Sequence, residues 1–372
     1  MTRERPVDPV TAVVAQEAFV ITIGVDAHKQ VHAAVAVDDA GRDVARWRGP
    51  NSRAAWDELH CWAAQLADER QWGVEGAGGY GRGLAQRLVD LGEPVFEVNS
   101  RWTASGRRSA RKGEKTDALD ATAVARTVRM EGSALPRVQP DDESSILSVL
   151  TTERDELIRE SSRICNQIHH LLLQVDPEYK GQIGCLTTRR SLGALSRYTA
   201  PDEGALQEHR AAAVRRLAVR LELVKHHIED VSLQIKNLAA ARFPALMRLC
   251  GVNALTAGVL AGLLGPGQRF ASDAQLAAYA GVAPLEASSG LRVRHRLSRS
   301  GNRRLNSVIY WIVLTQAHHS PEARAYLARR MSQGKTRREA HRALRRYIAR
   351  ALWRLWVECH SPSVSMSTQA AA

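Results

Sequence analysis

The sequence predicts an α/β amino-terminal domain followed by a mainly α-helical remainder, and three observations carry that expectation. Short β-branched runs alternate with turn signals, and then with helical spacing, early in the chain. Two long segments with apolar residues at seven-residue spacing fill the middle. The last part is helix-forming and rich in arginine. The expected parts are an α/β domain at 18–130, a coiled-coil stalk at 142–240 and a C-terminal domain at 244–358.

Phe19 to Val25 is an apolar run of strand length, and Asp26 follows its last residue. Val31 to Val37 reads as a second strand. Asp38-Asp39-Ala40-Gly41 is a turn signal leading into a third, Asp43 to Trp47. Trp56, Leu59, Trp62, Ala63 and Leu66 have helical spacing, and the short strand Gln71 to Val74 ends at Glu75. A second amphipathic segment, Leu84 to Leu91, precedes the strand Pro94 to Val98, which completes a mixed sheet with crossover helices. Lys115 to Ala125 is Ala-rich, and a helix there puts Asp117 and Asp120 on one face. A meander opened by an acid, followed by strands joined through helices, is how an RNase H-like (RuvC-like) sheet begins.

Asp26, Glu75, Asp117 and Asp120 fall where such a nuclease places metal ligands. Any one of them alone reads as a strand-end or helix-cap residue; the four in this order do not. Mg²⁺ prefers hard oxygen ligands in a near-octahedral shell, and four carboxylates can hold two such ions. Two metals can activate the attacking oxygen and stabilise the leaving one during displacement at phosphorus. A competing signal overlaps the second acid. Gly76, Gly78 and Gly81 fit a dinucleotide-binding fingerprint, and Glu97 lies at the spacing that fold wants. Glu75 would repel a pyrophosphate there, and the preceding hairpin is wrong for the start of a βαβ unit.

The net charge is +13, and it is unevenly placed. Between Arg292 and Arg354 seventeen Arg or Lys face two acids, Glu322 and Glu339. So one-sided a balance suits a polyphosphate partner. The expected phosphate contacts there are Arg292, Arg294, Arg296, Arg299, Arg303, Arg304, Arg337, Arg338, Arg342, Arg345 and Arg346. A second cluster, Arg101, Arg107, Arg108, Arg111, Lys112 and Lys115, immediately precedes Asp117. Such residues position backbone rather than read sequence. No segment has the continuous apolar length of a membrane span and Met1 to Pro9 lacks a signal-peptide core, so a cytoplasmic, nucleoid-associated protein is expected, with no membrane partner. The five cysteines are scattered without C-x-x-C spacing, which argues against a disulfide framework or a zinc ribbon. The histidine pairs, His169/His170, His226/His227 and His318/His319, have no matching ligands nearby and read as surface or interface residues.

In the middle, Leu150, Leu157, Ile164 and Leu171 recur every seven residues, and Val214 to Leu238 advance by alternating threes and fours. An intramolecular helical hairpin and an intermolecular coiled coil fit this seam about equally. Beyond Pro244, two apolar segments flank Gly251-Val252-Asn253, which suits either a phosphate-holding helix-hairpin-helix or a plain αα-hairpin. Ser288-Ser289-Gly290 stands between that hairpin and the arginine stretch. A serine beside glycine usually marks a turn; in this place its hydroxyl would lie where phosphates arrive, and a nucleophilic role is open to it.

Several motifs in order resemble one family over nearly the whole chain. They are Gly24-Val-Asp26-Ala-His28-Lys29, Glu75-Gly-Ala-Gly78, Asn99 with the basic cluster after it, Lys115-Thr-Asp117-Ala-Leu-Asp120-Ala, Gly281-Val-Ala-Pro284, Ser289-Gly290 and Ser300-Gly-Asn302-Arg-Arg-Leu305. The family is the insertion-sequence transposases with a RuvC-like D-E-D-D domain, the IS110 family. The resemblance implies Mg²⁺-dependent DNA recombination at Asp26, Glu75, Asp117 and Asp120 through a covalent phosphoserine link, and its serine-glycine pattern points to Ser289 rather than Ser288. It further implies guidance by a structured noncoding bridge (or seeker) RNA that pairs with donor and target DNA. It also implies homodimers assembling into tetramers, one chain's acids serving another's serine. Two other readings stand beside it: a RuvC-like junction nuclease that uses water, with Ser289 structural, and a non-catalytic nucleic-acid-binding coiled-coil protein.

Overall fold

A computed structural model of the chain describes residues 20–99, 116–201, 204–286, 295–296 and 301–361. The chain divides into two compact units, Met1–Val138 and Gln139–Ala372.

The first unit is built on a five-stranded sheet. In chain order its elements are β1 (Ile21–Ala27), β2 (Val31–Val37), β3 (Asp43–Pro50), helix α1 (Arg53–Ala64), β4 (Arg70–Glu75), helix α2 (Arg82–Asp90), β5 (Val95–Val98) and helix α3 (Asp117–Glu131). The strand order is β3-β2-β1-β4-β5. The first three strands form an antiparallel meander, and β1, β4 and β5 run parallel. Asp38 holds the second turn: its Oδ1 accepts from the amides of Ala40 and Arg42, and its Oδ2 from Arg42 Nε at 2.7 Å. A parallel neighbour for β1 needs a crossover, which α1 supplies, started by Ser52 accepting from the Ala55 amide.

Alternation along β1 separates two cores. Ile23 and Val25 pack with Leu59, Trp72, Leu84 and Leu88 on the α1/α2 face. On the other face Val35 and Val37 meet Ala121 and Ala125 of α3, and Val98 meets Val124 and Val128. Several boundaries differ from the sequence expectation. β1 runs through Asp26 to Ala27, because Asp26 and Ala27 still pair with Ala33 and His32 across the ladder. β3 continues to Pro50. The acid-bearing helix begins at Asp117 itself, capped by Thr116.

In the second unit, α4 (Glu143–Val175) and α6 (Ala205–Arg242) are 33 and 38 residues long, with the short α5 (Arg189–Leu195) between them. Ile164, Ile168 and Leu172 of α4 pack with Val214, Ala218, Leu221 and Val224 of α6, while Leu147 at the start of α4 joins Val231, Ile235 and Ala239. The two helices therefore run antiparallel, and within one chain each fills the other's seam. Of the two arrangements the heptads allowed, this is the hairpin.

Helix α7 (Ala254–Leu264) packs on this hairpin through Ala257, Leu260, Ala261 and Leu264. Its companion in the expected helix pair is shorter than anticipated: Pro244–Arg248 is a five-residue 3-10 turn. Proline at its start and the turn at Gly251, where φ is +90°, leave no room for a second full helix. Then follow α8 (Asp273–Tyr279), the two-residue strands β6 (Leu285–Glu286) and β7 (His295–Arg296), and helices α9 (Arg303–His319), α10 (Pro321–Ser332) and α11 (Arg337–His360). Leu305, Ile309, Ile312, Leu344, Ile348, Leu352 and Trp356 close the core of this part.

One latch in this unit titrates. Asp142 caps α4 and accepts from the Gly267 amide at 2.9 Å and from His360 Nε2 at 3.3 Å. Burial opposes its charge, but the hydrogen bonds from His360, Ser144 and Gly267 outweigh it and hold the carboxyl well below the usual range. The Asp142 bond raises His360 against the opposing effect of burial. A raised His360 contributes stability that is fully present below 6.5 and lost as pH rises through its folded value; a depressed Asp142 contributes stability present above 3.8 and lost as pH falls. The pair is strongest between those limits. His360→Gln should therefore cost about 2 kcal/mol near pH 5.5, and the difference in melting temperature from wild type should shrink by about pH 8.5. A difference that stays constant over that range would remove the ion pair from the account.

Candidate metal-binding active site

Asp26 stands at the carboxyl end of β1 and is only 6% exposed. Glu75 ends β4, and the parallel register pairs it directly with Asp26, so both side chains leave the same face of the sheet. That face is covered by α3, whose first turn supplies Asp117 and Asp120. Close packing brings them there: β1 and β4 offer Gly24 and Gly73, themselves register partners, under the helix. A Cβ built on Gly24 would stand 2.1 Å from the Ala121 carbonyl oxygen. Strand glycines of this kind mark a close approach of another backbone.

The result is a cluster of acids. One ligand atom each from Asp26, His28 and Asp117 lie within 4.8 Å of one another. His28 Nε2 is 3.1 Å from Asp26 Oδ2 and 3.7 Å from Asp117 Oδ1, and Arg48 Nη2 reaches Asp117 Oδ2 at 3.4 Å. Burial pushes the Asp26 carboxyl up, and the charges of Asp120 and Asp117 push it the same way, while His28 pulls against them. Asp120 is buried as well. Buried carboxylates that repel one another need a cation or a proton, and an oxygen-rich set of this kind fits a hard divalent ion. His28 is the member that the reading of acids alone passed over. Its signal was the i, i+2 spacing from Asp26, which in extended chain returns a side chain to the same face.

The expected phosphate-contacting residues divide by environment. Arg337 and Arg338 are exposed at the start of α11, and Arg303 is exposed at the start of α9. Arg304 instead pairs with Asp155 at 2.7 Å and donates to Thr152, which ties α9 to α4. Arg346 and Arg350 share Asp273, at 2.9 and 3.0 Å. Arg345 is half-buried over the Tyr310 ring, its carbon centre 4.8 Å from the centroid. Arg342 lies 3.9 Å from Glu339. Arg304 and Arg346 thus each stand in an ion pair with a partly exposed carboxylate of the fold, whereas Arg303, Arg337 and Arg338 are exposed. Arg296 lies in β7, paired with Leu285. Ser288, Ser289, Arg292, Arg294, Arg299, Arg101, Arg107, Arg108, Arg111, Lys112 and Lys115 lie outside the described residues.

Comparison with known proteins gives matches in both units. A transposase family model, DEDD_Tnp_IS110, matches residues 23–177, which include all four acids, and the model of the transposase IS116/IS110/IS902 family matches residues 244–328. An uncharacterized 44.8 kDa protein of insertion element IS116 from Streptomyces clavuligerus is 27% identical over 90% of this chain and 94% of its own length. An uncharacterized 42 kDa protein of insertion element IS900 from Mycobacterium paratuberculosis is 26% identical over 94% of this chain and 98% of its own length. The transposase for insertion sequence element IS1328 of Yersinia enterocolitica is 24% identical over 61% of this chain and 65% of its own length. With two family models in order along the chain and relatives aligned across both, the chain belongs to the IS110 family of transposases, enzymes that recombine DNA.

Proposed function

We propose that this transposase excises and inserts an insertion sequence by Mg²⁺-dependent cleavage and rejoining of DNA strands, with Asp26, Glu75, Asp117 and Asp120 as the metal ligands and Ser289 as the residue that carries DNA covalently. The convergence of Asp26 with Asp117 and Asp120 of the first turn of α3, inside the region that matches the DEDD family model, is the observation that carries the reading. The strand order, with an acid at the end of each of two parallel neighbours, supports an RNase H-like description of the first unit.

When bound, divalent metal supplies charge stabilisation at the reacting phosphate and lowers the cost of forming an alkoxide. The chain's own residues do the rest. Asp26 and Glu75 are fixed by the β1/β4 register, and Asp117 and Asp120 by the docking of α3 on that face, so the ligand set is preorganised rather than gathered at binding. Attack by the Ser289 hydroxyl forms an Oγ–P bond and breaks a P–O bond to deoxyribose. The serine proton ends on the leaving oxygen. The phosphodiester energy is kept in the phosphoserine for rejoining, which a recombinase needs and a nuclease does not. Arg303, Arg337 and Arg338 would hold phosphate backbone. The net charge of +13 supports a nucleic-acid partner, here donor and target DNA together with a bridge RNA. The active assembly in this reading is a homodimer that pairs into a tetramer. The functional parts are the metal-binding domain at 18–130, the helical stalk at 142–240 and the serine-bearing domain at 244–358.

Labelled DNA incubated with the purified protein, Mg²⁺ and co-expressed RNA should yield a protein-DNA adduct resistant to denaturation. Ser289→Ala should abolish the adduct and strand transfer while DNA binding persists, and Ser288→Ala should be milder. Free cut ends from the Ser289→Ala protein would point to water as nucleophile and favour the junction-nuclease reading.

A further inference from the structure

Helix α9 buries Leu305, Ile309, Ile312 and Val313 against the core, yet Trp311 on the same helix is 64% exposed. It forms one wall of a groove of about 600 Å³ in the second unit. The Gly251–Asn253 turn, Thr256 at the start of α7 and Arg154 of α4 line the groove as well. Arg154 Nε donates to Ser232 Oγ at 2.8 Å, and among the described residues it faces no carboxylate within ion-pair distance. Beside Trp311, 5.9 Å away between ring centroids, lies Tyr310 with Arg345 over its face.

We propose that this groove holds an unpaired nucleotide of the DNA substrate, its base stacked on Trp311 and its phosphate drawn to Arg154. Three observations meet there. The exposed indole offers a flat aromatic face of the kind on which a base stacks. The volume lies within the range of about 300–1,000 Å³ typical of small-ligand sites, which a nucleotide fits. Arg154 in the lining has no carboxylate partner among the described residues, and Arg303 on the same helix as Trp311 is exposed in a chain of net charge +13, so the partner is an anion rather than an apolar protein surface. Bases in a duplex are already stacked on one another, and an aromatic platform therefore selects unpaired strand, independently of sequence. The inference rests on the chain's acting on DNA, and on neither Ser289 nor the acids.

The test uses the full chain and labelled oligo-dT, a duplex of equal length and oligo-rU. Trp311→Ala should weaken oligo-dT binding about tenfold or more, the effect of one lost base stack, and Trp311→Phe should restore most of it. Arg154→Gln should weaken oligo-dT binding too and flatten its log K against log salt slope by about 0.7, one phosphate on single strand. Duplex affinity and melting temperature should hardly change in Trp311→Ala, because the side chain is mostly in solvent. Equal losses on duplex and single strand, or no loss on oligo-dT, would overturn the proposal. Trp311-dependent binding of oligo-rU about tenfold tighter than oligo-dT would overturn the assignment to DNA. A wild-type protein that binds oligo-dT and loses nothing in Trp311→Ala sinks this groove alone, whereas a wild-type protein that binds none of the three sinks the DNA reading with it.

Discussion

Asp26→Asn, Glu75→Gln, Asp117→Asn and Asp120→Asn should each lower the rate of strand cleavage in Mg²⁺ by about 100-fold or more, since a misplacement of an ångström at a reacting phosphate already costs that much. Folding and nucleic-acid binding should survive all four. Asp26→Asn should go further and raise the melting temperature in metal-free buffer. The native environment disfavours the Asp26 carboxylate through burial and through its neighbours Asp120 and Asp117, so an uncharged isostere relieves the fold of a cost that only a bound cation offsets. Loss of cleavage combined with a gain in apo stability is the signature of a ligand. A structural acid would lose both together. If any two of the four variants kept near-wild-type cleavage, the metal-site assignment would be wrong.

Much of the first unit was legible because its signals are local. The strand at Val31–Val37 announces itself through its valines and the turn residues after it, and Asp38 as a turn residue fits its own side-chain hydrogen bonds. The acids could be placed at strand ends for the same reason. What stayed hidden depends on what meets across space. Nothing in the spacing of Asp117 says that Arg48 of β3 and His28 would approach it, because those contacts exist only once the meander and α3 are packed on one another. The heptads of the stalk show the same limit. A seam shows that an apolar partner exists without saying whose; the partner turned out to be α4 for α6, within the same chain. Charge counting likewise does not say which cations of α11 have a partner within the fold. Arg337 and Arg346 look alike in sequence, but one is exposed and the other is held by Asp273, an acid more than sixty residues earlier.

The basic surface therefore has to be probed selectively. Removing Arg346 or Arg304 would cut ion pairs inside the fold, leaving Asp273 to Arg350 alone and Asp155 without its cation, which confuses loss of stability with loss of binding. Arg303, Arg337 and Arg338 are the positions where a change in salt dependence reports phosphate contact alone.

Substitution of the two strand glycines should produce the other large effect, and with opposite responses to rescue. At Gly24 the added methyl group of alanine meets backbone: the Ala121 carbonyl oxygen at 2.1 Å and the Ala125 amide nitrogen at 2.3 Å. No trimming of side chains can make room, so α3 must lift from β1, carrying Asp117 and Asp120 away from Asp26. Gly24→Ala should cost about 3 kcal/mol or more, at the upper end of overpacking, and should remove cleavage even where the protein remains folded. At Gly73 the same methyl group meets Val128 Cγ2 at 2.4 Å and Val124 Cγ1 at 3.0 Å, which are side-chain atoms of the same helix. Gly73→Ala should be destabilising alone and largely restored, in both melting temperature and cleavage, by Val128→Ala, since that change removes the Cγ2 the new methyl group meets and the methyl group fills part of the space that the two γ-carbons of Val128 vacate. The non-additivity of that pair is the measurement that matters. Rescue of Gly73→Ala together with failure of Val128→Ala to rescue Gly24→Ala would establish that the acids are assembled by backbone-to-backbone docking of α3 on β1. Full cleavage by Gly24→Ala would show that the helix can stand off from the strand and still deliver its carboxylates, and the account of how this site is built would fall.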